Sequence, residues 1–338
     1  SNLLTPYLLH RMIGSEEVYR ATMSYLDWRV YGFFFSFIAV MFRAFYVSTT
    51  NTKILTANSV VMVLTNVVLN YILIFGKFGF PALGIAGAAI ASSISEAVSV
   101  LFFVIYTWKK IDYKKYGLFR FTRVDFRMLG QILSVSIWVM IQHGIAFGGW
   151  FIFFIAMEHL GERPLAITNV VRSISSFLFM FVNAFASTNS SLVSNLIGAG
   201  ESDRVLPLCR RMIGLCYAFV LPIGILIAMF PSTVLRIYTD NPDLIASSIP
   251  SLWVMLSSYL FAVPGFIYFF SVSGTGNTRR ALEIDMASIF VYVLYILYVA
   301  VWLRADVAVC WTTEYVYNIM ILSSFFYLWK GNWRNKKI

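Results

Sequence analysis

The sequence predicts an all-α protein that crosses a membrane many times and folds as a two-lobed helix bundle. The first observation is that 59% of the 338 residues are apolar and 12% are charged, whereas about 25% charged residues are usual in a soluble domain. The second is that the charges lie between long apolar stretches. The third is that the same succession of polar turns and apolar spans occurs twice along the chain. A soluble fold is disfavoured, because almost no amphipathic helices are present to cover the apolar ones.

Nine apolar stretches are long enough, at roughly 20 residues each, to cross a bilayer as helices. We predict them near residues 29–48, 54–76, 82–108, 129–157, 165–196, 206–230, 246–271, 281–303 and 306–329. Ser15 and two acids after it predict a helix N-terminus within the outer turn 14–28. The small residues of 84–93 predict a face on which another helix packs closely.

An internal repeat relates the two halves of the chain. Asn51-Thr52 and Asn277-Thr278 lie 226 positions apart, and each pair follows a long apolar stretch. Around each pair the order is the same, from an acidic turn through three apolar spans to Trp108-Lys109 or Trp329-Lys330. A doubled block of this kind is typical of two-lobed membrane proteins with a pseudo-two-fold repeat.

The repeat also predicts the domain organisation. We expect an N-lobe remnant over residues 1–108, a cytoplasmic linker over 109–127, a C-lobe of six helices over 128–330 and a cytoplasmic tail over 331–338. Three C-lobe spans precede the repeated block, and the N-lobe shows no counterpart to them. We therefore expect an incomplete N-lobe that lacks about three helices, in an intact protein of about twelve spans and some 440 residues.

The distribution of positive charge predicts the orientation in the membrane. If the basic segment 109–127 is cytoplasmic, the inner segments hold 17 Lys and Arg and the outer segments seven, with Arg29 counted among the outer ones. This is the positive-inside bias. It accounts for the net charge of +10 without a nucleic-acid partner. We expect a multi-pass protein of the plasma (inner) membrane with a cytoplasmic C-terminus.

No arrangement of residues indicates an enzyme. The three cysteines lack the spacing of a disulfide framework or a metal site. The three histidines are far apart, and no hydrolytic or redox motif accompanies them. We therefore expect neither catalysis nor a cofactor other than a coupling ion.

Polar side chains inside the spans are the candidate functional residues, because each is costly in lipid unless it faces protein or water. Glu96 and Glu314 both lie in the last span of a repeated block, and this placement predicts a shared role, in ion coupling or in helix packing. Asn66 and Asn70 share one helix face, where they would line a cavity or bridge two helices.

The C-lobe supplies the other candidates. The cytoplasmic half of 165–196 is rich in Ser and Asn, including Asn183 and Asn189, which predicts a face towards a water-filled cleft. Arg172, two turns from the outer end, would snorkel to the interface or bind a ligand. Gln142 and His143 lie in mid-span, where the histidine would be a pH-responsive site or a satisfied core residue.

Three motifs resemble those of a known family. Asn70–Gly76 followed by Gly79–Ala91 is similar to the signature of the fifth and sixth helices of multidrug and toxic compound extrusion (MATE) transporters. Leu196–Glu201 and Gly274–Thr278 resemble the turns after their eighth and tenth helices. The resemblance covers the whole chain, as helices four to twelve. Gln142-His143 and Ala262 stand where one branch of the family carries acids.

The resemblance implies two six-helix lobes that rock about a central cleft, related by an axis along the membrane normal. It implies a monomeric secondary exporter of cationic or amphiphilic small molecules, coupled to entry of sodium ions or protons. Two alternatives remain: a flippase for lipid-linked sugars, which would favour a cleft rich in Arg and Lys, and a truncated membrane protein that does not transport.

Overall fold

The computed structural model describes residues 16–49, 51–112, 115–117, 125–331 and 333, and within them the regular structure is helical. The long helices are α1 (Glu16–Ser48), α2 (Lys53–Phe75), α3 (Gly84–Lys110), α4 (Phe126–Leu160), α5 (Glu162–Gly198), α6 (Val205–Met229), α8 (Pro242–Gly274) and α9 (Thr278–Ile296). The short helices are α7 (Pro231–Leu235), α10 (Val307–Cys310), α11 (Thr313–Ile321) and α12 (Ser324–Lys330). A π-helical segment, Leu297–Trp302, extends α9. The all-α prediction is confirmed.

Among the described residues, eight helices are long and apolar enough to cross a membrane, and they overlap the first eight predicted spans. The first helix begins at Glu16, within the outer turn 14–28 where a helix N-terminus was predicted, and continues without a break through the span predicted from residue 29. Ser15, the predicted cap, lies outside the described residues. Helix α8 is capped by Asn241, whose side chain accepts hydrogen bonds from the backbone N–H groups of Asp243 and Leu244.

The ninth predicted span, 306–329, is not one continuous helix, and this prediction is corrected. Its residues form α10, α11 and α12, joined by tight turns in which an N–H bonds three residues back, as from Glu314 to Trp311. Local side-chain chemistry explains the first junction. The hydroxyls of Thr312 and Thr313 donate to backbone carbonyls of the preceding turn, and such bonds disturb the regular helical pattern.

The chain divides into two compact units, residues 1–123 and 124–338. The division falls inside the segment predicted as a linker, 109–127, most of whose second half lies outside the described residues. The same holds for most of the predicted tail 331–338. The assignment of the units to an N-lobe remnant and a C-lobe remains a prediction.

The helix bounds support the internal repeat. Helix α1 runs from Glu16 to Ser48 and helix α8 from Pro242 to Gly274, so both ends differ by the same 226 positions. Helix α2 corresponds in the same way to α9 and its π-helical extension, and α3 to the series α10–α12. In each unit, the first and second members of the block both pack against the third.

Small residues allow the close packing of α3 in the first unit. Gly87, Ala89, Ala91, Ser93 and Ser95 are buried. A methyl group on Gly87 would lie 2.6 Å from the carbonyl oxygen of Leu73, so α2 and α3 approach each other more closely than any larger residue permits. This is the face that the small residues of 84–93 predicted.

Replacement of Gly87 by alanine is therefore expected to destabilise the protein by about 1–3 kcal/mol, since backbone must move to admit the methyl group. The matched control is Gly144→Ala in α4, where no atom lies within 4 Å of the new methyl group. Its effect is expected to stay within about 1 kcal/mol, in the stabilising direction. Unfolding of the purified proteins in mixed micelles measures both, and equal stability of the two variants would contradict the packing argument.

Candidate functional site

The first unit contains an ion pair between two membrane-spanning helices. The Arg29 guanidinium on α1 donates two hydrogen bonds, of 2.9 and 2.7 Å, to the two carboxylate oxygens of Glu96 on α3. Ser36 donates a third, of 3.3 Å, to the same carboxylate. The two charged side chains are 20% and 14% exposed. A bidentate ion pair of this kind is strong and fixes the relative orientation of the two side chains.

Gly32 makes room for this pair. A methyl group there would lie 2.5 Å from Nη1 of Arg29 and 2.7 Å from Oε2 of Glu96. Arg29, counted among the outer residues at the edge of the predicted span 29–48, lies inside α1, which runs from Glu16 to Ser48. Once α1 is extended, Arg29 becomes a polar residue inside a span, the same signal that singled out Glu96.

Of the two predicted asparagines of α2, Asn66 bridges to α3 and Asn70 bonds to Asn66. Asn66 donates to the hydroxyls of Ser92 and Ser95 on α3, each at 3.3 Å. Asn70 donates to the Asn66 side-chain oxygen at 2.9 Å, as their shared face predicted, while its own side-chain oxygen is buried without a partner. One unused acceptor next to a pair of hydroxyls is available to a cation or to a polar ligand.

A further side-chain hydrogen bond between α2 and α3 was not predicted from the sequence. Asn58, fully buried on α2, donates to Ser99 of α3 at 2.8 Å. It lies two turns before Asn66 on the same helix, and the two contacts together form a polar seam between antiparallel helices. Interhelical amide and hydroxyl contacts of this kind stabilise membrane bundles. The eight-residue spacing from Asn58 to Asn66 could have identified it.

Arg172 is the main charged group inside the second unit. It lies on α5 and is 6% exposed, so it does not snorkel to an interface as one sequence interpretation expected. Its guanidinium carbon lies 3.5 Å from the centre of the Trp150 ring. Three more rings lie 5.2–5.3 Å away, those of Phe153, Phe154 and Trp311. These contacts form an aromatic cage around a permanent positive charge.

Glu314, on α11, lies beside this cage. It is close enough to Arg172 to interact electrostatically, yet among the described residues no carboxylate comes within 4.0 Å of the guanidinium. Glu96 pairs with the first helix of its repeated block, whereas Arg172 belongs to α5, outside the block. The shared role predicted for the two glutamates is therefore not supported by their partners.

Asp285 is a buried acid that sequence analysis missed. It is 2% exposed on α9 and accepts a hydrogen bond of 2.9 Å from the hydroxyl of Tyr317. The predicted candidate Gln142 is close enough to interact with the same carboxylate. Asp285 lies seven residues after the start of its helix, near the first end of the predicted span 281–303.

The other predicted residues of the second unit are separated. Asn189 is fully buried and donates at 2.7 Å to Ser271, which places it in the packing between α5 and α8. Asn183 and His143 are exposed on the surface of the unit. The interpretation of His143 as a satisfied core histidine is thus wrong. The six predicted residues of the second unit thus do not form a single site within that unit.

Together, these features define a multi-pass helical membrane protein with charged and amide groups held inside two units. The family pattern described as MatE matches residues 2–72 and 139–299. Since these ranges cover more than half of the chain, the chain belongs to the MatE family. The family resemblance predicted from the sequence motifs is confirmed.

Two relatives illustrate the match in sequence. The chain is 29% identical over 239 residues to the probable multidrug resistance protein NorM of Thermotoga maritima, covering 70% of this chain and 50% of that protein. It is 26% identical over 262 residues to the probable multidrug resistance protein YoeA of Bacillus subtilis, covering 77% of this chain and 56% of that protein. The chain thus spans about half the length of the curated relatives it matches.

Solved structures show the same fold. One is an outward-facing multidrug resistance MATE family transporter of the MOP superfamily, with a TM-score of 0.87 at 16% identity, covering 97% of this chain and 73% of that one. Another is a variant of the Vibrio cholerae MATE transporter VcmN, with a TM-score of 0.82 at 18% identity, covering 98% and 76%.

The ion pair of the first unit gives a test of its structural role. Glu96→Leu or Arg29→Met alone leaves a buried charge without its partner and should destabilise the protein by about 2–3 kcal/mol. The double variant should recover most of that loss. The matched control is the Arg20–Glu16 pair on the same helix, whose side chains are exposed, so that Arg20→Ala should change little.

Unfolding of the four proteins in mixed micelles provides the double-mutant cycle. Additive losses in the double variant would show that Arg29 and Glu96 do not stabilise the fold through each other.

Proposed function

We propose that the chain is part of a secondary active exporter that moves amphiphilic or cationic small molecules across a membrane by alternating access, driven by entry of sodium ions or protons. Membership of the MatE family supports transport as the activity, and so do the names of the relatives. On this proposal the protein acts as a monomer in the plasma (inner) membrane, with its C-terminus in the cytoplasm.

The observation that carries the coupling is the pair of acids inside the second unit. Among the described residues, neither Asp285 nor Glu314 has a cationic group within 4.0 Å of its carboxylate. A carboxylate inside a membrane protein is costly unless a proton or a cation neutralises it. Uptake of that proton or cation from one side of the membrane, and its release on the other, is the coupling step we propose.

The flippase alternative receives less support. It calls for a cleft rich in Arg and Lys, and among the described residues neither unit gathers several such groups inside its spans. In the first unit Arg29 is paired with Glu96 and Arg43 is exposed. In the second, Arg172 is surrounded by aromatic rings rather than by other cationic groups.

Efflux from proteoliposomes tests the proposal. With the purified protein inserted, extrusion of a cationic dye is expected under an imposed sodium or proton gradient. Asp285→Asn and Glu314→Gln should each lower gradient-driven efflux at least about ten-fold, because neither variant can carry the charge. The matched control is Glu283→Gln, an exposed acid on the same helix as Asp285, which should keep the efflux of the unaltered protein.

The outcomes of these assays distinguish an exporter from a flippase and from a protein that does not transport. Gradient-driven efflux that survives in the double variant would contradict the roles given to Asp285 and Glu314. Absence of efflux in the folded, unaltered protein under both gradients would favour the non-transporting alternative, and lipid-linked sugar movement without dye efflux would favour a flippase.

A further inference from the structure

Two nitrogen donors of Arg172 make no hydrogen bond, although its guanidinium contacts several aromatic rings. Stacking on Trp150 involves the face of the guanidinium, whereas its five N–H donors point outward in the plane of the group. Nε and Nη2 are buried and have no hydrogen-bond partner. Buried charged donors without partners are rare, because the cost of leaving them unpaired is high.

The two unused nitrogens lie on the same edge of the guanidinium. Nε and Nη2 present parallel N–H bonds, and this is the edge that receives the two oxygens of a carboxylate side by side. A single-atom anion uses such a fork less completely. The geometry of the unused donors therefore selects a carboxylate group over a halide ion.

Two more donors without partners border the same place. Trp311, fully buried, has an unpaired indole Nε1–H, and its ring centre lies 5.3 Å from the guanidinium carbon. Tyr292, also buried, lies beside Arg172 with its hydroxyl oxygen towards the guanidinium N–H groups, and its O–H has no acceptor among the described residues. The Phe153 ring contacts both, with ring centres 5.5 Å from Trp311 and 6.3 Å from Tyr292.

Trp150 separates this cluster from the surface of the unit. Its indole lies directly over the guanidinium and is itself 45% exposed. Access of a ligand to Arg172 and the rings around it would require this side chain to rotate away. The rings left behind, of Phe153, Phe154 and Trp311, are apolar walls suited to an aromatic body that carries the anionic group.

We propose that Arg172, Trp311 and Tyr292 form a binding site for the carboxylate of a small aromatic molecule, with Trp150 as its cover. This site rests on the proposed function, and it identifies a carboxylate as a group that the transported molecule carries. A zwitterionic amphiphile fits the site, whereas a simple cation would meet the repulsion of Arg172. Glu314 lies close enough to Arg172 to respond to the arrival of this second carboxylate.

Binding in detergent tests the site without any need for transport. Benzoate is titrated into the purified protein and followed by tryptophan fluorescence and calorimetry, with neutral benzamide and cationic benzylamine as matched probes. Benzoate is expected to bind at least about ten-fold more tightly than benzamide. Arg172→Lys should lose most of this preference, because an ammonium group lacks the fork.

Two more conservative variants test the site in case Arg172→Lys does not fold. Tyr292→Phe and Trp311→Phe each remove a donor and keep a ring, and each should weaken benzoate binding about three- to ten-fold. Tyr298→Phe and Trp302→Phe alter exposed rings of the neighbouring segment and should leave benzoate binding unchanged.

Equal binding of benzoate and benzamide by the unaltered protein would overturn the proposal. So would benzoate binding that appears only in Glu314→Gln, because the fork would then be reserved for the chain's own glutamate. Benzoate preference without dye efflux would leave the carboxylate site standing and would count against the exporter alone.

Discussion

In the hydrocarbon core of a bilayer a polar side chain meets no water, so it must find its partner within the protein. This requirement organises the interior of both units. In the first unit it is met almost completely, by the Arg29–Glu96 pair and by the seam of asparagines and serines between α2 and α3. In the second unit it is met for the side-chain nitrogen of Asn189 but left open around Arg172.

The contrast between the two units suggests a division of labour. Helices α1 to α3 are joined by charged and amide contacts that leave few groups free, and Gly32 and Gly87 adjust the spacing of these helices to such contacts. The second unit keeps a permanent positive charge and two acids apart from one another. Groups that are unsatisfied in one state are the ones that can bind a ligand or an ion and so bias a conformational change.

Hydropathy and the repeat predicted most of the fold because span length and charge placement are properties of the chain itself. The matching ends of α1 and α8 bear this out. The interruption of the last span was not predicted, since it depends on how Thr312 and Thr313 use their hydroxyls. For the candidate site, the spacing of Asn66 and Asn70 was informative, whereas the partners of Glu96 and Gln142 depend on helix contacts that no local pattern shows.

The tight turn between α10 and α11 has a geometric consequence for the second unit. In a regular α-helix, side chains three positions apart differ by about 60° around the axis, but in a turn closed by an i to i−3 bond they align. Because the N–H of Glu314 bonds to the carbonyl of Trp311, the indole and the carboxylate are brought into line. The tight turn thus places the Glu314 carboxylate and the Trp311 indole on one side of the chain, and both lie near the Arg172 guanidinium.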